Sequence, residues 1–538
     1  MQRLGIVLMT TVGLAALAQA ADLPTARAPA AKPDCWSSLW SWLNASASEC
    51  PIGAYGVTLY GALDLNATHL DNGADRNPSA TNVSYGLAKT YNGVRTMFAY
   101  NGLSTSVIGL KMKEDILPYG WSLIGVLEAG VNPYSGMFYN GPRSLTDNNL
   151  RPPGAFPWQT TNSDSSRAGQ WDNSQAYIGL SNPVYGTLTF GRTNSLSNDV
   201  TSAYDPVAST AFSLIGYSSS FAGFGTTGTV RNTAVTYRLT YHDFRAAAQV
   251  GVGGYAWNNS DTAIYQAQLG ADFGPLSVDG VVSYAQNAVS LSNYGVDPWP
   301  ANANLAYIDG NWFLKQAYQG ATGYYNPNDI LKATLSNNFG VELVAKYKWN
   351  EVTFYGGYMY ANLGNPSNAE AGGFQTIAAG IFVPPGAVTS TAYLNTGAYA
   401  SPAYPFNRVN NTIWTGFKWA VWSNLDVAMG FYYQTQNNYN FSWNSASGYA
   451  TSAACVGTGA FISSGKCAGS QDALSLLIDY KPVKRVDLYA GVMLTNVYGG
   501  MANGYYNTYY AIPGNTKYSW QTADTQNWDP TIGLRIRF

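Results

Sequence analysis

The feature that most limits what this chain can become is a two-residue apolar rhythm. It starts near Tyr55 and runs to Phe538. Sixteen segments carry it, near 55–66, 104–113, 119–131, 173–181, 185–192, 231–241, 244–254, 262–273, 275–286, 338–349, 351–362, 411–420, 424–435, 472–480, 484–496 and 529–538. In LDVAMGFYYQ, Leu425, Val427, Met429, Phe431 and Tyr433 oppose Asp426 and Gln434. In the closing PTIGLRIRF, Ile532, Leu534, Ile536 and Phe538 oppose Arg535 and Arg537. Side chains alternate across a strand, so each segment predicts a strand with one apolar and one polar face. Helix-length periodicity is absent between them.

The connections alternate in length. Tight turns with Pro, Gly, Asn or Asp join every second pair: NPV, HD, GP, NE, VWS and KPVK, with DILPY slightly longer. The remaining links are long, at 67–103, 132–172, 193–230, 287–337, 363–410, 436–471 and 497–528, with 255–261 the short exception. A soluble sandwich could also bury alternating faces, but it gives no reason for that regularity or for the mixed polar faces. An even number of antiparallel strands, short turns at one end and long loops at the other, reads as an all-β transmembrane antiparallel β-barrel of 16 strands. Closure satisfies every backbone group, because in lipid each unpaired N–H or C=O costs several kcal/mol.

Composition agrees. Charged residues make up 11% of the chain, against about a quarter in soluble proteins. The 41 tyrosines and 56 glycines suit a surface wet on one side and lipid-facing on the other. Residues 1–20 read as a signal peptide: Arg3, an apolar stretch from Leu4 to Leu17, then Ala18-Gln19-Ala20. Beyond it no apolar run has the length of a membrane-crossing helix. Residues 21–54 form a separate periplasmic segment. It contains Trp36, Trp40 and Leu43 at helix-like spacing, read as a short turn packed on the mouth of the barrel, with a plug or cell-wall tether as the other reading. The barrel occupies 55–538. Four cysteines fall in two close pairs, Cys35 with Cys50 and Cys455 with Cys467, which an exported chain is expected to oxidise to disulfides. The sequence calls for no metal, no cofactor and no nucleic acid.

The chain resembles Gram-negative general diffusion porins of the trimeric, sixteen-stranded type. VTLYGALD resembles the family's first strand, and AYIGLSNPVYGTLTFGR its strand 4–strand 5 hairpin before an inward-folding third loop. VRNTAVTYR resembles the strand after that loop, and IGLRIRF the terminal strand, whose last aromatic, Phe538, is read by the barrel-assembly machinery. The resemblance implies a water-filled channel for passive diffusion of small hydrophilic solutes and ions in the outer membrane of a Gram-negative cell. It also implies a homotrimer bordered by lipid and lipopolysaccharide. It places Arg192 and Arg231 on the wall of a constriction, facing Asp199 and Asp205 on the third loop. Strict alternation from Leu188 and Phe190 would turn Arg192 outward, so a bend at Gly191 is required. Ala62 and Val107 stand where the family often has basic residues, which predicts a less basic wall.

Lys111, Lys113, Arg238, Lys346, Lys348, Lys418 and Arg535 lie on polar faces and are expected to line the lumen. A substrate-selective channel for sugars or aromatic acids, and a loop-mediated adhesin or receptor, are the alternatives. An enzyme would usually need a histidine base. The two histidines, His69 in an outer loop and His242 in a periplasmic turn, are placed at opposite mouths by this reading.

Overall fold

The computed structural model describes residues 35–71, 94–136, 138, 174–216, 231–252, 263–294, 305–308, 311–314, 331–364, 407–438, 468–499, 506–512, 515–520 and 525–538. Residues 1–20, expected to be a signal peptide, lie outside the described residues. Of the two expected disulfides, the one between Cys35 and Cys50 is present, with Cα atoms 5.6 Å apart. The other expected pair, Cys455 with Cys467, lies outside the described residues.

Sixteen antiparallel strands close into a barrel. They are β1 Val57–Leu70; β2, in two pieces, Arg95–Tyr100 and Val107–Leu117; β3 Trp121–Gly130; β4 Ala176–Asn182; β5 Gly186–Asn194; and β6 Arg231–Tyr241. Then come β7 Phe244–Val252, β8 Ala263–Phe273, β9 Leu276–Tyr294, β10 Leu331–Trp349, β11 Val352–Gly364 and β12 Arg408–Trp422. The last are β13 Leu425–Gln436, β14 Gly469–Val483, β15 Val486–Gly499 and β16, in two pieces, Thr525–Trp528 and Thr531–Arg537. Each pairs with its neighbour in sequence, and β16 pairs with β1 through Asp64↔Arg535 and Leu65↔Leu534 to close the ring. Each expected strand is present. The difference is in length. β9 and β10 run well past their expected ends, and β1 continues to Leu70, which puts His69 on a strand rather than in a loop.

Facing follows the rhythm. Leu474, Leu476 and Ile478 of β14 are each about two-fifths exposed, whereas Ala473, Ser475 and Leu477 between them are buried. Phe431 and Ile532 are exposed; Tyr432 and Thr531 beside them are buried. The apolar face therefore looks out to acyl chains and the other face into the lumen. Tyr347, Trp349, Phe354, Trp419 and Tyr480 lie toward the short-turn end and are exposed, as an interfacial girdle requires. Leu476→Arg, near the middle of β14, is expected to destabilise the barrel by about 2–4 kcal/mol, read by urea unfolding from vesicles.

Among the described residues, two helices accompany the strands: α1 Leu39–Asn44 before the barrel and α2 Leu196–Tyr204 after β5. Two further hairpins, Leu305–Ile308 with Asn311–Leu314 and Tyr506–Ile512 with Asn515–Trp520, lie in long connections.

Candidate functional site

The site is the lumen, and the segment from Ser195 to Gly216 shapes it. Ser195 begins α2 by accepting a hydrogen bond from Asn198 N at 3.2 Å, an N-cap. Leu196, Val200 and Tyr204 follow four residues apart and form the helix's apolar stripe; all three are buried. That stripe and its cap were readable in the sequence, but period-two patterning on both sides hides so short a helix.

The segment lies on the inner wall as a belt. Leu196 N donates to Gln266 Oε1 of β8 at 2.6 Å, and Thr201 Oγ1 donates to Glu342 Oε1 of β10 at 2.8 Å. Tyr204 OH donates to Asp279 Oδ2 of β9 at 2.5 Å, and its carbonyl accepts from Trp414 Nε1 of β12 at 3.0 Å. Asp205 accepts from Tyr432 OH of β13 at 2.6 Å and from Ser209 N at 2.7 Å. Ser475 Oγ of β14 donates to Phe212 O. Ala211 N finally reaches Gly102 O, in the break of β2, at 2.9 Å. Between these anchors Val207, Phe212, Leu214 and Ile215 pack with Trp414, Tyr432, Leu477, Tyr489 and Met493 into a core inside the barrel. Apolar burial holds the belt, and the anchors fix its register. Burial pushes the Asp205 carboxyl above its usual range, against the Tyr432 hydrogen bond that lowers it. Burial, then the bond to Asp279, pushes the Tyr204 hydroxyl up.

The expected constriction residues occupy distinct positions. Asp199, on α2, accepts from Arg238 Nη2 of β6 at 2.6 Å and from Asn194 Nδ2 at 2.9 Å. Both partners of this ion pair keep about a third of their side-chain surface open. A pair so exposed contributes about 0–1 kcal/mol to stability, so its physical importance is its field across the lumen. Arg192 is 3% exposed, with Nε donating to Ser174 O at 2.9 Å. Gly191 beside it has φ +125°, and a Cβ there would stand 2.3 Å from Ala176 O, so the backbone departs from a regular strand where a bend was required. Arg231 stands opposite Asn194 in the β5–β6 register, and its side chain lies outside the described residues. Asp205, within the belt, is buried.

More charge lines the wall toward the short turns. Arg245 of β7 bridges Asp272 and Asp279, reaching the latter at 2.9 Å, and also donates to Ser277 Oγ at 3.1 Å. Alternation puts Asp272 and Asp279 on polar faces, whereas Arg245 is a lumen residue it does not nominate. Lys346 Nζ lies 4.6 Å above the Tyr204 ring. Lys418 and Lys481 flank Asp426 at 3.1 and 2.6 Å. Arg535 and Arg537 both meet Asp487, at 2.9 and 3.0 Å. Lys111, Lys113 and Lys348 form no ion pair among the described residues, and Lys111 lies 5.7 Å from the Tyr60 ring. His69 shares a hydrogen bond with Thr96 Oγ1 at 2.8 Å, and His242 occupies the β6–β7 turn with φ 51°.

A family model described as Gram-negative porin matches residues 7–382. Among solved structures, the chain is similar to an anion-selective porin from Comamonas acidovorans, at 12% identity and TM-score 0.50, over 90% of this chain and 99% of that one. It is also similar to OmpT of Vibrio cholerae, at 12% identity and TM-score 0.48, over 91% and 100%. A third is OmpF of Salmonella typhi in complex with daunomycin, at 12% identity and TM-score 0.40, over 90% and 99%. The search of curated proteins found no match.

Proposed function

The chain belongs to the Gram-negative porin family, and from that premise we propose that its channel passes small hydrophilic solutes and inorganic ions with a mild preference for anions. As an outer-membrane porin it offers a polar path through an apolar slab, so a solute crosses hydrated and no covalent step is involved. The ion pair Asp199–Arg238, on a helix folded into the lumen, carries the reading. Facing charges in a low-dielectric ring set a transverse field that orders solute dipoles and sorts ions. The proposed sign rests on Lys111, Lys113 and Lys348, which have no ion-pair partner among the described residues, set against Asp115 and Glu128 on the same wall, which among those residues accept only from hydroxyls. Asp199, Asp272, Asp279, Asp426 and Asp487 are matched by arginines or lysines. Three copies are proposed to assemble around the lipid-facing wall, with lipopolysaccharide against the outer rim. Phe538 is proposed to present the terminal strand to the assembly machinery.

Reconstitution in a planar bilayer across a potassium chloride gradient tests this. Conductance should step in threes, and the reversal potential should take the sign of chloride. Asp199→Asn removes one negative charge and should move the reversal further in that direction; Arg238→Gln should move it back. A wild-type reversal potential of potassium sign would overturn the anion preference, and single unit steps would overturn the trimer.

A further inference from the structure

We propose that residues 35–54 form a disulfide-closed latch on the barrel's closing seam, and that opening the Cys35–Cys50 bond releases it. The pairing of β16 with β1 ends where Gly61 and Phe538 exchange both backbone bonds, at 3.0 and 2.9 Å. Beyond that point the same edge of β1 is taken by another stretch of chain. The short strand Ile52–Ala54 pairs antiparallel with it, Ile52↔Leu59 and Ala54↔Val57, while β2 holds the opposite edge. The β15 side shows a matching substitution. Arg537 N donates to Arg485 O at 2.8 Å, but Arg485 N donates to Leu43 O at 3.3 Å. Opposed residues of a hydrogen-bonded antiparallel pair normally exchange both bonds. Here the preceding segment supplies the second acceptor. Residues 43 and 52–54 therefore complete the ladder on both flanks of β16.

One side chain grips the segment. Arg485, in the β14–β15 turn, is 1% exposed. Its Nε donates to Trp42 O at 2.9 Å, and its Nη2 donates to Ser46 O at 3.1 Å and Cys50 O at 2.7 Å. Its guanidinium stands 4.2 Å from the Trp42 ring. Lys484 next to it holds Glu49 at 2.8 Å, and this, with the Ser46 amide, lowers the Glu49 carboxyl to about 2. All four gripped residues, 42, 46, 49 and 50, lie inside the loop that the disulfide closes. A buried guanidinium needs its acceptors presented together. A closed loop presents them with little further loss of chain entropy; an open one must be ordered each time it docks. Oxidation in the export compartment thus turns a weak contact into a standing one. Reduction by a dithiol reverses it: two electrons and two protons pass to the cystine, giving two thiols, and the reductant becomes a disulfide. The Arg485 grip then weakens, and the edge of β1 at 57–59 opens, a backbone template for a foreign strand.

The test uses the full chain in lipid vesicles, in wild type and in a background carrying Cys455→Ser and Cys467→Ser, with dithiothreitol as the reductant. Hydrogen exchange is followed by mass spectrometry, and thiol alkylation verifies that the bond has opened. Reduction should speed exchange at 52–59 and at Arg485 by about tenfold or more, leaving β8–β9 protection unchanged. Arg485→Ala in the oxidised protein should give the same local pattern with the disulfide intact. Unchanged exchange at 52–59 and Arg485 after the bond has opened would overturn the latch. So would loss of protection throughout the barrel, since the bond would then hold the whole fold rather than this seam.

Discussion

Asp487→Ala should cost the barrel about 3–5 kcal/mol, the price of breaking a buried ion pair by removing one partner. Asp487 is 0% exposed and accepts from Arg535 Nε through one oxygen and from Arg537 Nη2 through the other. The loss falls mainly on Arg535, whose side chain is 16% exposed; Arg537, at 40%, can turn to water. Asp487 and Arg535 are opposed across β15 and β16, so the damage lands on the closing seam. Thermal unfolding followed by the β-sheet circular dichroism band should show a clear drop in midpoint. Asp487→Asn keeps an acceptor and should lose less. A midpoint unchanged in the alanine variant would show that the two arginines find other partners.

The second large effect concerns the belt. Asp205→Ala removes the acceptor of Tyr432 OH and Ser209 N in a site closed to water. Each buried donor left without a partner costs about 1–3 kcal/mol, and Asp205 sits midway along the 195–216 segment. The expected result is a channel with larger and noisier single-channel current, because the segment that narrows the lumen is no longer fixed to β13. A quiet current of wild-type amplitude would mean that apolar packing alone holds the belt. The pH dependence follows from the raised Asp205 carboxyl. A carboxyl whose folded pKa exceeds its unfolded value holds an extra proton in the fold between the two. Stability from this group is then present at low pH and lost as pH rises through that window. Acid should therefore tighten the belt at Asp205, and Asp205→Asn should flatten that part of the conductance titration.

Much of this architecture is legible in the amino-acid sequence. LDVAMGFYYQ and PTIGLRIRF display their strands and their apolar faces in the residues themselves. The short turns did the same for topology, since NPV or HD leaves room only for an antiparallel return. The helix α2 was missed, and so was the interruption of β2. At that break Asp64 accepts from Leu103 N and Ser104 N at 2.7 and 3.1 Å and from Tyr489 OH at 2.5 Å. No local pattern announces a carboxylate that gathers donors from β15 and from a break in β2. In the segment before the barrel, helix-like spacing pointed to Trp36 and Trp40. Both are exposed, and Trp42 is the ring that meets Arg485.

What the residues alone determined is the number of strands, their faces and the end at which the turns are short. Those properties are local: a side chain's face depends on its parity along one strand, and a turn on two or three neighbours. Only the tertiary structure decided which charges meet. Arg238 finds Asp199 from 39 residues away, Tyr432 finds Asp205 from 227, and Arg485 finds Trp42 from 443. Such contacts depend on how far a loop reaches into the lumen and which strand closes beside which, and a ring of strands has no partners assigned until it is closed.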